Sequence, residues 1–223
     1  MKPSEPSQVA SDRIADFLAE RILSGELKPG ERIKQDELAS QLNTSRIPVR
    51  DALRILETRG LVSLQANIGA RVASLTLHDM ELSYRIRESL EPMLLAESIP
   101  HLTEQDFADL RAANAALKAV SSIEDYMPLS RTFHWTAFRG HRAPMLAQIV
   151  ERLWDTTQVY RRTYAQMTFR DAERMQVMCD ERDLLLGSIL RREVDLAPRI
   201  LATHIRRTQT SLRQYRETLG SAE

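Results

Sequence analysis

Apolar residues return every three or four positions along most of this chain, and the places where that rhythm breaks mark its plan. Over residues 9–23, Ile14, Phe17, Leu18, Ile22 and Leu23 form one apolar face, and Gly25 ends the predicted helix. Lys28-Pro29-Gly30 then makes a turn. Residues 35–59 read as two short helices. Leu38, Ala39 and Leu42 face inward on the first, and Val49, Ala52, Leu53 and Leu56 on the second. Asn43-Thr44-Ser45 separates them. Ser45 is placed as an N-cap whose hydroxyl accepts a hydrogen bond from a first-turn amide, and Pro48 lies in that turn, where its missing N–H costs little. The period then shortens to two. Residues 60–64 and 70–73 predict the strands of a hairpin, with residues 65–69 turning between them and Arg71 at the tip.

After residue 75 the pattern is helical throughout. Helices are predicted over 78–99, 104–120, 124–139, 144–168, 170–192 and 195–219, with Pro100 and Thr103 dividing the first two. Six helices with short connections argue an antiparallel bundle. Pro92 predicts a kink, and Pro128 is placed in the first turn of its helix. The fold expected is mostly α: an N-terminal winged helix-turn-helix over residues 8–75 and a C-terminal all-α antiparallel bundle over 76–223. Residues 1–7 form a disordered lead-in.

Charge changes this picture locally. The chain has 223 residues, with 31 Lys and Arg against 31 Asp and Glu, so bulk charge announces no nucleic-acid partner. Between residues 43 and 73, however, Arg46, Arg50, Arg54, Arg59 and Arg71 face only Asp51 and Glu57. Such local patches govern phosphate contact more than overall charge does. Arg46 and Arg50 lie four apart, on one helical face, as a recognition helix entering the major groove by its N-terminus requires. The expected DNA contacts are Ser45, Arg46, Ile47, Pro48, Arg50, Arg54, Gly69 and Arg71. A single cysteine, Cys179, excludes an internal disulfide framework. No apolar run is long enough to span a membrane and no secretion signal opens the chain, which points to the cytoplasm. No glycine-rich phosphate loop or nucleophile elbow argues for an enzyme.

The segments SGELKPGERI and DELASQLNTSRIPVRDALRILETRGLV resemble the winged-helix domain of GntR-type bacterial transcription regulators over roughly residues 8–75. The remainder resembles the FCD domain of the FadR/FCD branch, through RIRESLEPMLLAES, LSRTFHWTAF and a last helix containing ATHIRR. The resemblance implies a cytoplasmic homodimer that binds double-stranded operator DNA, a repressor whose affinity is set by a small carboxylate-type effector in the C-terminal bundle. It also implies a divalent metal, zinc or nickel, held by an aspartate and three histidines. Those four positions fall on Ser130, His134, Arg182 and His204, so two ligands are replaced, one by a hydroxyl and one by a cation. His134 and His204 are what remains of a metal site. The resemblance also places Arg87 beside the effector.

The residues themselves make a shared pocket plausible. Ser130 and His134 lie one turn apart. His204 lies on the row Leu196, Ile200, Leu201, Ile205 and Leu212, and Arg182 near Met178, Leu185 and Ile189. The competing account is a set of separate polar groups satisfied by backbone, water or Asp180, Glu181 and Asp183. We expect effector binding by Arg87, Ser130, His134, Arg182 and His204, with Arg182 gripping the acid in place of the metal. The alternatives are a DNA-binding dimer without an effector and a helical enzyme with an accessory winged helix.

Overall fold

The structure, a computed structural model, describes residues 6–65, 69–74 and 76–220. They divide into two compact units. One holds the chain up to Thr76 with Trp154–Val159, and the other holds Leu77–Leu153 with the chain from Tyr160 onward.

The first unit is built on α1 (Pro6–Leu23), α2 (Gln35–Gln41) and α3 (Arg46–Thr58), with a small sheet of β1 (Arg32–Ile33), β2 (Val62–Gln65) and β3 (Gly69–Val72). The sheet order is β1-β3-β2, and both pairings are antiparallel. β1 was not legible in the sequence, because two residues are too few to show alternation. Its Ile33 joins a core of Leu18, Ile22, Leu38, Val49, Leu53, Leu56 and Val72. Phe17, expected on the apolar face of α1, is exposed instead. Of the lead-in expected over 1–7, residues 1–5 lie outside the described residues and Pro6 begins α1.

Two turns fix how α3 is presented. Asn43 closes α2 in the left-handed region at φ 48°, where a short polar side chain is tolerated best after glycine. Its N–H bonds the Ser40 carbonyl at 3.2 Å, and that of Thr44 the Ala39 carbonyl at 2.9 Å. Gly60 does the same after α3 at φ 74°, with Gly60 N–H on Glu57 O and Leu61 N–H on Leu56 O, both at 2.9 Å. The carbonyls that each helix end leaves open are thereby satisfied.

The second unit holds α4 (Leu77–Ser98), a 3-10 turn (Ile99–His101), α5 (Glu104–Ala119), α6 (Ile123–Phe138), α7 (Pro144–Thr156) up to Leu153, α8 (Gln158–Phe169) from Tyr160, α9 (Ala172–Leu190) and α10 (Leu196–Gly220). The single helix expected over 144–168 is broken at Thr157. Asp155-Thr156-Thr157 supplies side chains that are stiff or compete for backbone hydrogen bonds, and both properties disfavour helix interiors. Pro128 stands inside α6 rather than in its first turn, since the helix starts at Ile123 on a Ser122 cap. α4 continues through Pro92.

α4 packs on α10, α5 on α6 and α9, and α9 on α10. Ala197, Leu201, Ile205, Thr208 and Leu212 form the buried stripe of α10; Leu196, expected on it, is exposed. Among the described residues no helix is long and apolar enough to cross a membrane.

Candidate functional site

The outward end of α3 carries the first set of candidate residues. Its inner face is buried through Pro48, Val49, Ala52, Leu53 and Leu56, which leaves Arg46, Ile47, Arg50 and Arg54 exposed. Pro48 therefore belongs to the core, contrary to the expectation that it meets DNA. Ile47 is 59% exposed, an apolar side chain held out between two arginines. Ser45 takes the N-cap position with extended backbone, but its hydroxyl bonds no first-turn amide.

Arg46 Nε lies 2.5 Å from Asp36 Oδ1, with both side chains mostly in solvent. Such a pair contributes little and yields readily to a phosphate. Arg54 is 3.8 Å from Asp51. Arg50 has no ion-pair partner among the described residues.

Arg71 is not at the wing tip, as expected, but within β3, opposite Ser63 of β2 and Arg32 of β1. The tip, residues 66–68, lies outside the described residues. Arg71 Nη1 donates to the Gly30 carbonyl at 2.8 Å. Arg32 is the residue missed. Its guanidinium lies over Gly69, where a Cβ would meet Arg32 Nε and Nη2 at 4.0 Å, and Gly69 itself sits at φ 95°. Two exposed arginines paired across neighbouring strands repel each other, a cost that an anion offsets. The sequence signal for Arg32 was present only in its pairing with Arg71.

The second set surrounds a cavity of about 20 Å³ inside the bundle, room for about one water molecule. Ser130 and His134 reach it from α6, Glu181 and Arg182 from α9, and His204 from α10; Tyr126, Phe133, Met178 and Leu185 complete the wall. Four of the five expected residues are thus brought together.

Arg87 is not. It lies 4% exposed in the buried stripe of α4, and its Nε is held by Glu91 Oε1 at 2.6 Å. Burial works against its charge, but Glu91 and Tyr84 beside it hold its pKa above the ordinary value. Its charge is already spent on a carboxylate one turn away.

The two imidazoles have different partners. His134 Nδ1 meets the Ser130 carbonyl at 2.8 Å, so that nitrogen carries the proton and donates. Burial pushes its pKa down to about 3, and the charges of His204, Arg161 and Arg87 add to the effect. His134 is therefore neutral. His204 Nδ1 meets Glu181 Oε2 at 2.8 Å, and Arg207 takes the same carboxylate with Nε at 2.5 Å and Nη2 at 2.6 Å. Burial raises the Glu181 carboxyl, but His204 and Arg207 outweigh it and hold the pKa below its ordinary range.

Arg182 differs from Arg87. It is 7% exposed, its Nε donates to the neutral Asn114 Oδ1 at 2.8 Å, and its Nη2 meets Cys179 Sγ at 3.5 Å. No carboxylate pairs with it. Of its two sequence neighbours, Glu181 is engaged by His204 and Arg207, and Asp183 by Asn114 and Lys118.

This donor set does not fit a divalent ion. A hydroxyl and a guanidinium occupy two of the four inherited positions. The two imidazole rings, 6.5 Å apart, are all that remains. Among the described residues no group of three or more His, Cys, Asp or Glu is placed to hold a metal.

The folds and sites define a winged helix-turn-helix chain joined to an all-helical domain with a cation-lined cavity. Family comparison agrees at both ends. The model for bacterial regulatory proteins of the gntR family matches residues 10–72, and that of the FCD domain matches residues 81–207. The chain belongs to the GntR family of transcription regulators and carries an FCD domain. It is 31% identical over 121 residues to the uncharacterized HTH-type transcriptional regulator YdhC of Bacillus subtilis, covering 52% of this chain and 54% of that one. It is 29% identical over 145 residues to the HTH-type transcriptional regulator McbR of Escherichia coli, covering 64% and 66%. The matches thus span between half and two thirds of these relatives. The solved structure of E. coli McbR/YncC has the same fold, with a TM-score of 0.79 at 24% identity over 92% of this chain and 98% of that one.

Proposed function

We propose that this protein is a cytoplasmic homodimeric repressor that reads a two-fold operator through α3 and the wing. Its operator affinity is set by a small carboxylate bound at Arg182. α3 offers Arg46 and Arg50 to base edges or phosphates, Ile47 to a thymine methyl group, and its uncapped N-terminal amides to a phosphate. Arg54 extends the positive face. Arg32 and Arg71, paired on the wing, are suited to the phosphate backbone. A dimer sets the spacing between half-sites.

The observation that carries the effector half is the state of Arg182, a buried guanidinium that lines a cavity without a carboxylate partner. Burying a charge unpaired costs several kcal/mol, and a ligand carboxylate gripped by the guanidinium fork recovers that cost. The binding needs no metal, because the guanidinium supplies the positive charge. The Ser130 hydroxyl offers a donor to the anion, whereas neutral His134, with its proton held on Nδ1 by the Ser130 carbonyl, presents only an acceptor nitrogen and bounds the site without binding the charge.

Cavity size connects binding to regulation. The cavity has room for about one water molecule, fewer heavy atoms than any organic carboxylate, so entry of an acid is expected to displace wall side chains from α6, α9 and α10. An effector that binds the opened bundle better than the closed one shifts the population between them, and operator affinity follows if the dimer states differ.

The test is a thermal-shift screen of metal-stripped protein against small carboxylic acids and sugar acids, with and without zinc or nickel. Stabilisation by an acid alone, lost in Arg182→Ala, is the expected result. Stabilisation only with added metal would overturn it.

A further inference from the structure

We infer that Asn114 is a positioning residue for the anion site: it aims the Arg182 guanidinium at the cavity and, as a neutral amide, leaves its charge for the ligand. This rests on the carboxylate-effector reading above. Asn114 is 6% exposed on α5, and its Oδ1 accepts the Nε–H of Arg182 at 2.8 Å. Its other amide atom is fixed as well. Nδ2 donates to Asp183 Oδ1 at 2.7 Å, while Asp183 Oδ2 takes Lys118 Nζ at 2.6 Å.

Flipping the amide would set oxygen against carboxylate and nitrogen against guanidinium, so one orientation is enforced. Two helices supply the four groups in neighbouring pairs. Asn114 and Lys118 are one turn apart on α5, and Arg182 and Asp183 are adjacent on α9. The one carboxylate of the chain is bound to lysine and stands one group removed from Arg182.

Two buried arginines in the same bundle show the consequence. Arg87 meets a carboxylate at 2.6 Å and is neutralised within α4; Arg182 meets an amide at 2.8 Å and is not. Because Asn114 takes Nε, the terminal Nη pair remains for a ligand, with only the long contact of Nη2 to Cys179. An end-on fork of that kind suits a carboxylate.

The exchange N114D/D183N tests this directly. It keeps net charge and nearly every atom, and the amide and carboxylate still hydrogen-bond each other, but the negative charge now sits on the partner of Arg182. Binding of acetate, glycolate and malonate is measured by calorimetry and thermal shift on metal-free protein at constant ionic strength. The exchange is expected to weaken binding at least tenfold, about 1.4 kcal/mol, while the ligand-free protein melts no lower than the parent. Undiminished binding overturns the inference.

A second measurement needs no ligand. The Nε–H signal of Arg182 in ¹⁵N NMR, identified by its loss in Arg182→Lys, is expected to exchange slowly in the parent and rapidly in Asn114→Ala. A signal unchanged in Asn114→Ala overturns the positioning role. If none of the acids binds the parent, the carboxylate reading fails, and the NMR result alone decides whether Asn114 positions Arg182.

Discussion

Replacing Glu91 with glutamine removes the charge from the carboxylate that holds Arg87 at 2.6 Å, between side chains 5% and 0% exposed. The substitution conserves volume, so no cavity term enters. What is lost is the pairing of a buried cation, and breaking a buried ion pair from one side costs about 3–5 kcal/mol. Glu91 Oε2 has no hydrogen-bond partner, so an amide nitrogen placed there gains none, and the cost is not offset. For a chain of this length each kcal/mol moves the melting temperature by about 2–4 °C. The transition of the helical unit, followed by scanning calorimetry, should therefore fall by roughly 6–20 °C. The double variant Arg87→Met/Glu91→Leu should melt near the parent or above it, because apolar replacement of a buried pair is often neutral or stabilising. A loss below about 1 kcal/mol for Glu91→Gln would refute the reasoning, and it would return Arg87 to the list of cations available to an effector.

Three further outcomes follow from local geometry. Gly140→Ala should destabilise the protein by about 1–3 kcal/mol in urea unfolding, because its Cβ would overlap the backbone carbonyl of Ser98 and press on Leu102 N at 3.1 Å. Asp106 caps α5 with Thr103 and meets Arg139 at 2.7 Å; partial burial opposes its charge, but Thr103 and Arg139 hold its pKa below the ordinary value. The stability it supplies is therefore present above about pH 4 and lost as pH falls below that, so Asp106→Asn should flatten the acid limb of a stability–pH curve while lowering the neutral plateau. Arg32→Ala should weaken binding to a random-sequence duplex and reduce the salt slope by about one, read by anisotropy across a salt series. An unchanged slope removes Arg32 from the interface.

The winged unit was legible because its signals are local. Asn43 and Gly60 fall where a helix must end in the left-handed region, and the arginines of α3 repeat on one face. β1 was not legible, since its two residues acquire meaning only by pairing with β3 across nearly forty residues. Ser45 takes the cap position without the cap bond, because residue type fixes what a hydroxyl can do and not the rotamer it adopts. The break at Thr157 shows the residue types Asp155-Thr156-Thr157 overriding an apolar period that runs through the segment unchanged.

The two buried arginines divide along the same line. Glu91 follows Arg87 by four residues, the spacing at which a helix brings opposite charges together, so the sequence already contained the reason why Arg87 serves α4 rather than the cavity. A resemblance that assigned it to an effector concealed that local signal. For Arg182 the reverse holds. Its partner lies 68 positions away on α5, and adjacent Glu181 and Asp183 look like ready counter-ions until the fold gives the first to His204 and Arg207 and the second to Asn114 and Lys118. Local charge spacing therefore identifies which cations are neutralised within a helix. Only the packing of α5, α9 and α10 shows that Arg182, unlike Arg87, meets an amide instead of a carboxylate.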